Sequence, residues 1–92
     1  MKAVRIHARG GIDVLRHEEC EEPQLEGPTD VRVKLLAAAV NRIDLELRAG
    51  SKSSLVFPHI LGCDGAGLID ALAPEVTHLK LGDEVCIYPF LD

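Results

Sequence analysis

Two short runs of this 92-residue chain hold the residue types that could do chemistry: Asn41-Arg42-Ile43-Asp44 and Gly62-Cys63-Asp64-Gly65-Ala66-Gly67. The second spaces its glycines as G-x-x-G-x-G, the reverse of the dinucleotide-binding G-x-G-x-x-G, and no strand-then-helix pattern surrounds it. It is therefore not a Rossmann phosphate loop. Glycine at this density predicts a tight loop ahead of an apolar strand, against which another backbone packs closely, because a residue without Cβ admits that approach. His59, Cys63 and Asp64 could hold a metal if the loop folded back, and loop residues beside a turn are the simpler account. Cys63 has no identifiable base or orienting acid, which removes support for covalent catalysis. His7, His17, His59 and His78 fall in different segments with no shared ligand spacing.

The first run changes period. Ile43 and Leu47 lie four apart, as do Asp44 and Arg48, which predicts a short helix over residues 41–49 with Asn41 as N-cap and Gly50 past its end. On that helix Arg42 suits an exposed first-turn cation and Asp44 an i,i+4 partner for Arg48. Asp64 suits an Asx-type turn.

The elements that must position these residues read as strands. Residues 2–7 and 14–22 flank Gly10-Gly11 and predict a hairpin or neighbouring strands. Residues 23–30 form a turn-rich connection. Val31, Val33 and Leu35 then alternate with Arg32 and Lys34 at period two, the clearest strand in the chain. The pattern loses its polar partners from Leu36 to Val40, which predicts a far end buried on both faces. A loop from Ser51 turns apolar at Leu55, and residues 68–72 and 84–88 read as strands joined through Pro74 and the turn Leu81-Gly82-Asp83. Five or six strands with one short helix predict a mainly β barrel or sandwich.

Composition removes several classes of function. Ten Lys and Arg against fifteen Asp and Glu leave a net charge of −5, which repels a phosphate backbone and argues against nucleic acid. Nothing approaches the ~20 apolar residues of a membrane span, and no signal-peptide core follows the first residues. The expected location is the cytoplasm. Three widely spaced cysteines without a CxxC fit free thiols in a reducing compartment. Phe57, Tyr88 and Phe90 are the only aromatic residues, too few for a stacking platform.

Three ordered motifs now carry a resemblance: Ala38-Ala39-Val40-Asn41-Arg42-Ile43-Asp44, then Pro58-His59-Ile60-Leu61-Gly62-Cys63-Asp64-Gly65-Ala66-Gly67, then Leu79-Lys80-Leu81-Gly82-Asp83-Glu84-Val85. Together they resemble the N-terminal part of medium-chain dehydrogenases/reductases, which include zinc alcohol dehydrogenases and zinc-free quinone oxidoreductases. The similarity runs from the Met-Lys-Ala-Val opening to Tyr88-Pro89. It implies a partial GroES-like β-barrel with one short helix over residues 1–92, without the Rossmann cofactor domain and the closing barrel strands of the family.

Carried over position by position, the resemblance removes the zinc chemistry. Zinc-type members carry a cysteine ligand at the helix start and a histidine ligand in the glycine-rich run, where this chain has Asn41 and Cys63. An amide is a poor zinc ligand and a lone thiol makes no site, so no metal is expected. The family's relay hydroxyl corresponds to Ile43, which carries no proton. Asn41 instead resembles the asparagine lining the nicotinamide pocket of quinone and enone reductases. Asp44 matches a carboxylate near the active centre, and Arg42 a contact to the cofactor pyrophosphate. The resemblance thus implies Asn41 and Asp44 as catalytic residues, Arg42 as cofactor-binding, and hydride transfer from NADPH or NADH to a quinone, enone or aldehyde. The isolated chain is expected to hold no cofactor, to be inactive alone and to form a homodimer. The competing reading is a non-enzymatic GroES-like binding or assembly module.

Overall fold

Strand β1 (Lys2–Ile6) and strand β2 (Arg16–Glu19) form the predicted hairpin, with Lys2 opposite Glu19 and Arg5 opposite Arg16. The computed structural model describes residues 1–50 and 54–90. The hairpin is shorter than expected, because Ile12–Val14 winds into a single 3-10 turn after the glycine pair. Its open end is closed by main-chain bonds between Met1 and Cys20 in both directions, at 2.9 and 2.8 Å. Across it, Glu18 accepts hydrogen bonds from the Arg5 guanidinium and the His7 ring. These donors, His7 first, hold the Glu18 carboxyl below its ordinary range.

Strand β4 (His59–Ile60), which the periodicity does not predict, pairs on the other side of β1 and gives a sheet ordered β2-β1-β4. Ile6, at its centre, is fully buried. Helix α1 (Arg42–Ala49) belongs to the same compact unit, made of Met1–Glu22 and Val40–Cys63. Its C-terminal end is laced to the turn after β1. Arg9 donates to the Leu47 carbonyl at 3.0 Å, Arg48 donates to the Gly10 carbonyl at 3.2 Å, and the Gly10 N–H donates to the Arg48 carbonyl at 2.9 Å. The Arg9 guanidinium and the Gly10 N–H here satisfy two carbonyls that a helix end leaves without partners. The loop expected from Ser51 begins with residues 51–53, which lie outside the described residues.

The second unit, Pro23–Ala39 and Asp64–Asp92, is a three-stranded antiparallel sheet ordered β3-β5-β6, from β3 (Val31–Ala39), β5 (Asp64–Leu72) and β6 (Glu84–Cys86). β6 ends two residues earlier than its apolar pattern suggests. The turn before β3 is held by Asp30, whose carboxylate accepts the N–H groups of Gly27 at 2.7 Å and Glu26 at 2.8 Å. Those bonds lower the Asp30 carboxyl from its ordinary range. Arg32 on β3 pairs across the sheet with Asp70 on β5 at 2.8 Å.

Two expectations about this sheet are corrected. The glycine run is not a loop throughout: only Gly62 has the positive φ of a turn, and β5 begins at Asp64, whose partner on β3 is Ala39. Asp64 is therefore a strand residue and not an Asx-turn acid. Nor is the far end of β3 buried on both faces, since every residue from Lys34 to Val40 is exposed. Gly65 and Gly67 lie opposite Ala38 and Leu35 and have no side chains with which to cover them. Close approach of backbones, by contrast, is as expected. A Cβ on Gly67 would stand 2.0 Å from the Lys34 carbonyl oxygen, and one on Gly65 would stand 2.8 Å from a Leu35 methyl. At that point the pairing shifts, with Leu36 the extra residue between Leu35 and Ala37.

Candidate functional site

Asn41, Arg42 and Asp44 occupy the first turn of α1, as their spacing predicts. Asn41 is extended at φ −120° and ψ 164°, the backbone of an N-cap residue. It forms a capping box with Asp44, in which the Asn41 N–H donates to Asp44 Oδ2 at 2.9 Å. A carboxylate here satisfies an otherwise orphaned donor and sits at the positive end of the helix dipole. Gly50 closes the other end at φ +124°, its N–H on the Glu46 carbonyl at 3.0 Å.

The structure overturns the pairing foreseen for Asp44. Arg48 turns to Gly10, and the i,i+4 ion pair on this helix joins Arg42 to Glu46 at 3.2 Å. Asp44 is only 5% exposed, and its Oδ1 has no hydrogen-bond partner among the described residues. A buried polar oxygen left without a donor costs about 1–3 kcal/mol, and more when it is charged. The sequence signals a cap at position 44 and does not signal this burial. The Arg42 side chain is 90% exposed and only loosely held by Glu46, as surface pairs are.

The second candidate cluster does not form. His59 lies half-buried in β4 beside Ile6, and among the described residues no three His, Cys, Asp or Glu side chains approach closely enough to share a metal ion. With an amide at Asn41, the donor set does not fit a catalytic zinc. A concavity of about 340 Å³ that sequence reasoning missed opens in the second unit, walled by residues 37–39 and 64–66 with Cys86 and Ile87. Its walls are small and mostly apolar, and only the alanine and glycine content of the two runs foreshadows it.

Comparison with known proteins gives these residues a setting. The family described as alcohol dehydrogenase GroES-like domain matches residues 27–92. A quinone oxidoreductase of Pseudomonas aeruginosa is 38% identical over 84 residues, 91% of this chain and 26% of that protein. The chain thus spans about a quarter of the length of such relatives. Among solved structures, an NAD-dependent alcohol dehydrogenase is 46% identical with a TM-score of 0.84, covering 95% of this chain and 25% of the other. The Escherichia coli quinone oxidoreductase complexed with NADPH is 29% identical with the same TM-score, covering 94% and 26%. Two antiparallel sheets and one capped helix, matched over 94–95% of the chain by these solved enzymes, are a partial GroES-like β fold. The chain belongs to the alcohol dehydrogenase GroES-like domain family, within the medium-chain dehydrogenases/reductases.

Proposed function

We propose that this chain is the GroES-like domain of a zinc-independent oxidoreductase that transfers hydride from NADPH or NADH to a quinone or enone. The observation that carries this reading is the start of α1, where an asparagine stands in place of a thiolate ligand, its side chain capping the Asp44 N–H and its own backbone N–H held by the buried Asp44 carboxylate. The resemblance to the quinone oxidoreductases supports the acceptor class.

In this reading Asn41 and Asp44 act together at the reacting centre. Asp44 Oδ2 holds the Asn41 backbone, and Oδ1 lies buried without a hydrogen-bond partner among the described residues. Arg42, exposed and permanently charged, is the residue that would meet the cofactor pyrophosphate. The nicotinamide supplies the hydride when bound, and this chain's part is to orient the ring and the acceptor. One exposed arginine contributes about 1 kcal/mol, too little to hold a dinucleotide, so the isolated chain is inactive and binds cofactor weakly. Its proposed partners are a dinucleotide-binding domain and a second copy of itself, in the cytoplasm, and neither nucleic acid nor membrane. Among the described residues no helix is long and apolar enough to cross a bilayer.

The test joins the chain to the cofactor domain of the Escherichia coli quinone oxidoreductase and follows NADPH oxidation with a small quinone in the presence of a chelator. Chelator-resistant turnover that Asn41→Ala reduces by roughly tenfold or more supports the reading. Turnover that requires added zinc contradicts it. The likeness to an NAD-dependent alcohol dehydrogenase favours a second acceptor class, and the same assay with an aldehyde decides between them.

A further inference from the structure

We draw no further inference here: the strongest candidate, the free edge and exposed apolar far end of β3 from Leu35 to Ala39, carries nothing because no observation in the structure shows what covers it.

Discussion

The two ends of the β3–β5 ladder are both apolar, yet only one is packed. At the first end Val31 and Val33 lie half-buried opposite Leu72 and Ile69, with Ile69 2% and the adjoining Ala73 3% exposed. At the second, Leu35 is 53% exposed opposite Gly67, and Leu36, the extra residue before the Ala37–Ala66 pair, is 67% exposed. The difference lies in the partner strand. Branched side chains on β5 stand opposite those of β3 at the first end, whereas at the second glycine and alanine admit close backbone approach and offer little side chain to the residues facing them. Hydrophobic character sets what a strand can bury; its cross-strand partners decide whether it does.

The largest effect expected from that contrast is at Gly67. Gly67→Ala forces a methyl into the Lys34 carbonyl and should cost about 4 kcal/mol in denaturant unfolding. Gly62→Ala, with open space around it but φ +125°, should cost about 1–2 kcal/mol. Equal costs would mean that backbone conformation, and not the close approach, selects glycine in this run.

Core truncation sharpens the comparison next. Ile69→Ala should lose about 3 kcal/mol, and Leu36→Ala no more than about 0.5 kcal/mol. A Leu36 cost matching that of Ile69 would show the far end to be covered in solution.

Loss of the helix cap ranks third. Asp44→Ala should destabilise by about 1 kcal/mol, and a double-mutant cycle with Asn41→Ala should show coupling, because the two residues form one capping box. Additive costs would separate them.

The smallest effect is on acid stability. Glu18 and Asp30 both have carboxyls lowered in the folded chain, from ordinary values of 4.5 and 3.8. Each therefore contributes stability that is fully present above its unfolded value and lost as pH falls through its folded one. Unfolding should become easier below about pH 4.5, and Glu18→Gln should flatten the upper part of that acid limb. An unchanged profile would show the His7 and Arg5 contacts to be without energetic consequence.

Much of this molecule was legible in the chain. The period-two run at Val31, Val33 and Leu35 places β3, and Asn41 with Gly50 delimits α1 to the residue, because caps and alternation are local physics. Non-local contacts were not legible. Arg48 binds Gly10, 38 positions away, in place of Asp44. The two-residue β4 exists only because β1 pairs with it. Glycine density signalled close packing at Gly65 and Gly67 correctly, but the same residues continue a strand, since nothing local distinguishes a glycine that turns from one that admits a neighbour. At the candidate site, residue types and the cap could be read, while the burial of Asp44 and its open Oδ1 depend on surroundings that the local pattern does not specify.

The central claim is that the start of α1 is an amide-and-carboxylate site and not a metal site, and elemental analysis of the purified chain after dialysis against a weak chelator tests it most directly. The account predicts zinc well below stoichiometry, unchanged in Cys63→Ala. About one tightly held zinc per chain, lost in Cys63→Ala, would contradict it.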